Sequence, residues 1–244
     1  LLNKNVVPND KALIKAVFTN DIDIVEIVLK YKNDPSFVNK KSKNGTALFI
    51  ATNQNNLKIV QRLLKIPGID PSLYNEEDQT PLICSIVNFN LEILNEILDF
   101  YGDNIQSQTW QLEKAIQIAL KIRKMNENLN HEKKSQLLLI LKRILEIKNI
   151  DPNCHSGEFT LLSYACETNE ISIVQMLLKT EKVDVNAYAP LNGNTPLMIS
   201  ILKKNVEITE LLINDKRTDI NAVNYENETA LIIAVKNNLG EIVD

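Results

Sequence analysis

Two histidines, three cysteines and six glycines are all that these 244 residues hold of those types. Metal centres and nucleophile–base pairs draw on clustered His, Cys and acidic side chains, so both kinds of catalysis have little to build on. Three Cys is a small, odd number for a disulfide scaffold, and Cys84, Cys154 and Cys166 lack C-x-x-C spacing. That usage points to a reducing, intracellular and cytoplasmic setting. Six glycines supply neither a G-x-G-x-x-G turn nor a Walker loop, so a nucleotide lacks its phosphate cradle. Aromatic residues make up 5% of the chain, with one Trp, which leaves Leu, Ile and Val to build the core. No apolar run approaches the roughly 20 residues that span a bilayer. The net charge is -4, and Arg62, Arg123, Arg143 and Arg217 are the four Arg among 27 basic residues, a poor composition for a nucleic-acid surface. With 44% hydrophobic and 24% charged residues the chain reads as an ordinary folded protein.

What the sequence does have is repetition. Five strings align on a Thr: Gly45-Thr46-Ala47-Leu48, Gln79-Thr80-Pro81-Leu82, Phe159-Thr160-Leu161-Leu162, Asn194-Thr195-Pro196-Leu197 and Glu228-Thr229-Ala230-Leu231. The Thr residues are spaced by 34, 80, 35 and 34, the long interval being two periods and about 12 further residues. Ile69-Asp70-Pro71-Ser72, Ile150-Asp151-Pro152-Asn153, Val183-Asp184-Val185-Asn186 and Thr218-Asp219-Ile220-Asn221 keep the same beat. Between the two signatures lies a third, seen in Ile24 to Leu29, Ile59 to Leu64 and Ile173 to Leu178.

Each signature has a physical role. Thr accepts a backbone N–H as an N-cap, and Pro fits the first helical position because its missing N–H has no intrahelical partner to lose. A short helix follows, then a polar break such as Asn53-Gln54-Asn55-Asn56. A second helix places Ile59, Val60, Leu63 and Leu64 on one face. Asn44, Asp78, Gly193 and Asn227, two residues before their Thr, are types that tolerate a positive φ in a tight turn, with Gly157 taking that place beside Glu158. One pair of short helices cannot cover its own apolar face, whereas stacked pairs bury each other's.

Thr-Pro-Leu starts, Ile-Val-x-x-Leu-Leu second helices and Val-Asp-Val-Asn returns at this period resemble ankyrin repeats over nearly the whole chain. The resemblance implies an all-α solenoid of about seven stacked helix-turn-helix units in a single domain, near residues 8–40, 41–74, 75–104, 105–153, 154–187, 188–221 and 222–244. The first unit has Asp10-Lys11-Ala12-Leu13 in place of Thr-Pro-Leu, and the last is cut off at Asp244. Because the chain starts at Leu1 without a signal peptide and stops inside the pattern, it reads as an excerpt of a longer protein. The fourth unit is degenerate, with Leu112, Ala115, Ile116 and Ala119 as first-helix packing positions. Its charged stretch from Met125 to Gln136 reads as longer helices or a solvated loop, with a partner-binding insertion as the sharper alternative. The family's His after Thr-Pro-Leu is replaced by Phe49, Ile83, Ser163, Met198 and Ile232, so apolar packing is expected there. The family's Gly between helices gives way to Asn55, Phe89, Asn169 and Lys204.

By the same resemblance the chain binds another protein through the concave side, made of turn tips and first-helix faces, and is not an enzyme. Position by position this nominates Lys41 and Lys43, then Glu76, Glu77 and Gln79, then Phe159, then Leu191, Asn192 and Asn194, then Tyr225, Glu226 and Glu228. The matching first-helix positions are Asn53 with Gln54, Val87 with Asn88, Glu167, and Leu202 with Lys203. No cofactor, metal, nucleic acid, membrane insertion or small-molecule substrate is expected. The alternative function is a targeting or regulatory segment of a larger enzyme whose catalytic domain lies outside the chain. Asn153, Asn186 and Asn221 sit where ankyrin proteins are sometimes hydroxylated; a side chain bonding local backbone accounts for them. His131 and His155 read as solvated residues, Cys84 and Cys166 as small hydrophobes in first-helix faces, and Cys154 beside His155 as unreactive.

Overall fold

A Thr side chain opens five of the helices, as its position before a helical run dictates. The hydroxyls of Thr46, Thr80, Thr160, Thr195 and Thr229 accept the backbone N–H three residues on at 3.2 to 3.4 Å. The computed structural model describes residues 8–9, 11–102, 109–125, 130–147, 150–153, 155–156 and 159–238. Asp10, Cys154, Gly157, Glu158 and both chain ends, all read above from sequence, lie outside them.

The described helices are α1 (Ala12–Phe18), α2 (Ile22–Tyr31), α3 (Pro35–Val38), α4 (Ala47–Asn53), α5 (Leu57–Leu64), α6 (Pro81–Val87), α7 (Leu91–Tyr101), α8 (Thr109–Met125) and α9 (His131–Leu145). They continue with α10 (Leu161–Glu167), α11 (Ile171–Leu178), α12 (Pro196–Leu202), α13 (Val206–Ile213) and α14 (Ala230–Lys236). The one named sheet among the described residues is a hairpin of β1 (His155–Ser156) and β2 (Phe159–Thr160), paired antiparallel with His155 opposite Thr160. It forms the turn ahead of α10, so the all-α reading holds.

The chain divides into two compact units, Leu1–Ala119 with Leu129–Arg143, and Leu120–Asn128 with Ile144–Asp244. In the first unit α1 packs on α4 and α4 on α6, while α2 packs on α5 and α5 on α7. In the second, α10 packs on α12 and α12 on α14, with α11 on α13. First helices thus stack on first helices and second on second, in chain order. Ile59, Val60 and Leu63 are fully buried, as are Ile93, Leu94 and Ile97 at the matching places of α7. Phe49, Ile83, Ser163 and Met198 are also buried where the family's His would be, with the Ser163 hydroxyl accepting from Thr160 at 3.1 Å and Met198 Sδ from the Thr195 N–H at 3.4 Å, while Ile232 is 42% exposed.

Between paired helices the backbone turns through a left-handed residue. Asn20, Asn55, Phe89, Asn169, Lys204 and Asn238 have φ between 53° and 58°. Asn reaches this region at little cost, whereas Phe89 and Lys204 are strained there. At the tips, Asp78, Gly193 and Asn227 have the expected positive φ, but in the second unit of the repeat the strained place belongs to Gly45 (φ 96°) and not to Asn44. The reason is the tight two-residue closure of that tip, where Ser42 and Gly45 exchange both backbone bonds at 3.0 Å.

The fourth repeat's surplus residues lengthen its helices. α8 has 17 residues and α9 has 15, against seven and eight in α4 and α5. Leu112, Ala115, Ile116 and Ala119 are fully buried, as are Leu137, Ile140 and Ile144. Arg143 of α9 donates to Asn95 at 3.1 Å and pairs with Asp99 at 3.2 Å, which ties α9 to α7. The stretch read as charged and polar is helical up to Met125 and again from His131, and residues 126–129 lie outside the described residues.

Candidate partner-binding surface

The return turns fix where each tip emerges. Asp70, Asp151, Asp184 and Asp219 each accept the N–H two residues on at 2.9 to 3.0 Å, closing the turn locally. The Asn of the same motif does something else, which corrects the local reading given above. Asn153 donates to the Lys182 carbonyl at 2.9 Å and accepts from the Asp184 N–H at 2.8 Å. Asn186 repeats this with Arg217 and Asp219, both at 2.8 Å. Asn39 does the same with Gly68 and Asp70. A side chain that reaches backbone about thirty residues ahead joins consecutive repeats, and Asp is left to make the turn.

In the first unit the row of tips starts at Lys41 and Lys43, both exposed. Lys41 Nζ lies 3.9 Å from the centre of the Tyr74 ring. The next tip is held by Asn75, whose amide oxygen accepts the Glu77 and Gln79 N–H groups at 3.0 and 2.9 Å. Glu76 and Glu77 project into solvent, while Gln79 is partly buried. Behind them Asn53 is exposed and Gln54 partly buried, donating to the Phe18 carbonyl at 3.3 Å. Val87 is partly buried, and Asn88 spends its amide on the Thr52 and Asn53 carbonyls at 3.4 and 3.3 Å.

In the second unit Phe159 is partly buried in β2. Leu191, Asn192, Tyr225 and Glu226 are exposed at the tips. Asn194 is 5% exposed, and its amide oxygen accepts from Asn224 at 3.0 Å, so it is withdrawn from the accessible set. On the helices Leu202 is exposed, and Lys203 pairs with Glu167 at 2.6 Å. Glu228 pairs with Lys236, and that hydrogen-bonded ammonium holds the Glu228 carboxyl below its usual pKa.

Reasoning from sequence did not nominate Tyr74 and Tyr188. Both stand four residues after the Asp of their return motif, a regularity that could have found them. It also missed Arg217, which caps α11. Its guanidinium donates to the Leu178 and Thr180 carbonyls at 2.8 and 3.1 Å while gripping Asp215 through two bonds of 2.9 and 2.7 Å.

The described residues assemble neither a metal-ligating cluster nor a reactive thiol. No group of three His, Cys, Asp or Glu among them could hold a metal ion. Burial pushes the Cys84 thiol up to about 12 and the Cys166 thiol higher still, so neither offers a thiolate. His131 is exposed at the start of α9. No helix among the described residues is long and apolar enough to cross a membrane.

Comparison with known proteins agrees with this geometry. The family profile for ankyrin repeats (three copies) matches residues 2–109, 129–224 and 181–244. An ankyrin repeat and KH domain-containing protein of Caenorhabditis briggsae is 27% identical over 254 residues, covering 86% of this chain and 9% of that protein. The NAD-dependent deacetylase sir2B of Dictyostelium discoideum is 22% identical over 209 residues, covering 82% of this chain and 25% of its own length. The chain therefore spans at most a quarter of these relatives. Among solved structures, the ankyrin repeat domain of Bcl-3, described as a unique member of the IkappaB protein family, superposes with a TM-score of 0.70 at 20% identity, covering 96% of this chain and 98% of that one. The human ASB11 ankyrin repeat domain gives 0.56 at 18% identity, covering 91% and 90%. Repeats of this type mediate protein–protein interaction, and by its signatures, its helix stacking and the matching profile this chain belongs to the ankyrin repeat family.

Proposed function

We propose that the chain is a non-catalytic scaffold that binds a partner protein through the tips and first-helix faces of each unit. One observation carries the reading. The tips recur at one place in a fixed backbone, and core packing makes no demand on their outermost side chains, which differ from repeat to repeat. Lys43, Glu77, Leu191 and Glu226 stand at such places, all exposed. A surface of mixed charge fits a protein partner of mixed charge better than a polyanion.

A photo-crosslinking amino acid placed at Glu77 and at Glu226 tests this, with Lys58 and Glu207 on the exposed sides of second helices as controls. We expect the two tip positions to capture the same partner and the controls to capture none. Capture from Lys58 and Glu207 alone contradicts the assignment.

The similarity to a deacetylase favours a second reading, in which these repeats serve as the targeting segment of a larger enzyme. Linking the repeats to an unrelated reporter enzyme and finding no redirection of its substrate choice would dispose of it.

A further inference from the structure

The two most exposed large apolar side chains among the described residues, Leu191 at 68% and Tyr225 at 66%, occupy neighbouring tips of the second unit. They are tied together. The Tyr225 N–H donates to the Asn192 carbonyl at 3.0 Å, and the Tyr225 ring lies against Gly193 so closely that a Cβ built there would come within 2.5 Å of it.

The tip that carries Leu191 is also longer than the others. Its closing bond, from the Ala189 N–H to the Asn194 carbonyl at 2.9 Å, encloses residues 190–193. The bonds from Asn75 to Gln79 and from Asn224 to Glu228 enclose one residue fewer. The added residue accounts for the interval of 35 between Thr160 and Thr195, against 34 from Thr46 to Thr80 and from Thr195 to Thr229. It places Leu at an apex where solvation would favour a polar residue.

This ridge is rigid before any partner arrives. Gly193 N–H donates to the Ala189 carbonyl at 2.8 Å, Asn194 N–H to the Asn192 amide oxygen at 3.0 Å, and buried Asn224 bridges to buried Asn194. Little ordering cost then falls on binding. Its net charge is negative, because Glu226 and Glu228 both act on the Lys236 ammonium. Lys203 is occupied by Glu167 and Lys236 by Glu228, whereas Glu226 is exposed beside Tyr225 and has no ion-pair partner among the described residues.

We propose that this ridge receives a partner segment presenting an aliphatic or aromatic side chain next to a Lys or Arg. The apolar group covers Leu191 and Tyr225, and the cation pairs with Glu226. The assignment rests on the protein-binding reading above and adds the chemistry of the partner.

Selection of a phage-displayed random 12-residue peptide library against the 244-residue chain, followed by fluorescence anisotropy with the enriched peptides, tests it. Enriched sequences are expected to share an apolar–basic pair. Leu191→Ser and Tyr225→Ser should each weaken binding by about tenfold or more, the loss usual for an interface anchor. Glu226→Lys should weaken basic peptides by a similar factor, while Leu139→Ser, at an exposed leucine of α9, should change nothing. All four positions are exposed, and unchanged melting curves verify the fold. Failure to enrich any peptide, peptides without a basic residue, or affinity indifferent to Leu191→Ser overturns the ridge. Crosslinking from Glu77 and Glu226 separates the two failures: partner capture there together with insensitivity to Leu191→Ser refutes the ridge alone, and no capture at either tip refutes both.

Discussion

Asn186 and Asn221 end successive copies of one motif, yet they carry different weight. Asn186 is partly buried and bonded on both sides to the following repeat, whereas Asn221 is exposed. Replacing Asn186 by Ala leaves the Asp219 N–H and the Arg217 carbonyl without that partner and should cost about 1–2 kcal/mol. Asn221→Ala should stay within about 0.5 kcal/mol. Urea denaturation of both variants checks the contrast. Strain gives the opposite sign. Lys204 sits at φ 58°, so Lys204→Gly should stabilise by about 1 kcal/mol. Asp215 adds a pH dependence. Hydrogen bonds from Arg217 hold its carboxyl below the usual aspartate range. A lowered folded pKa gives stability that is complete above the unfolded value and disappears as the pH falls through the folded one. Melting followed from pH 6 down to 2 should therefore show a steeper acid loss in the native chain than in Asp215→Asn. Cys84 and Cys166 should resist iodoacetamide at pH 8 in the native protein and react in denaturant, as peptide mass spectrometry would record. None of these weights was legible in the motif. Asp and Asn are interchangeable turn formers on paper, and only the reach to the next repeat separates them.

Helix starts were the most legible element. Thr followed by an apolar run has one good use, and the five Thr caps are where the pattern put them. Thr80→Ala should cost about 1 kcal/mol and loosen α6 first, read as faster amide exchange over Pro81–Val87. The left-handed turns were legible as well, because Asn stands at four of the six. Phe89 and Lys204 fill the other two by position alone. The fourth repeat was less legible. Its apolar positions marked the packing face of α8, but period alone cannot tell a loop from two helices that run past their usual length. Tip lengths were also hidden. A one-residue difference in spacing does not say which turn carries it, and the hydrogen bond from Ala189 to Asn194 does.

Across the molecule the core follows from repetition, and the binding surface is what repetition leaves over. In each unit helices contact their counterparts in the adjacent repeat, so damage should spread by rank along the chain. Leu13→Ala in α1 should reduce amide protection most in α1 and α2, less in α4 and least in α6, and an equal fall in all four would indicate a single undivided core. The candidate surface was legible as a set of places: most nominated positions are exposed or partly so, while Asn194 is withdrawn because its side chain joins two tips. Which of those places matter depends on pairing and tip length, properties of neighbours thirty or more residues apart. The central claim is that the tips are free to bind because they do not hold the fold. Its most direct test is the partner affinity of a chain in which Lys43, Glu76, Glu77, Leu191 and Glu226 are all changed to Ser, measured against the partner captured by crosslinking. The account predicts a loss of at least about a hundredfold with melting unchanged, roughly 2.7 kcal/mol spread over a few anchors. Undiminished affinity would contradict it.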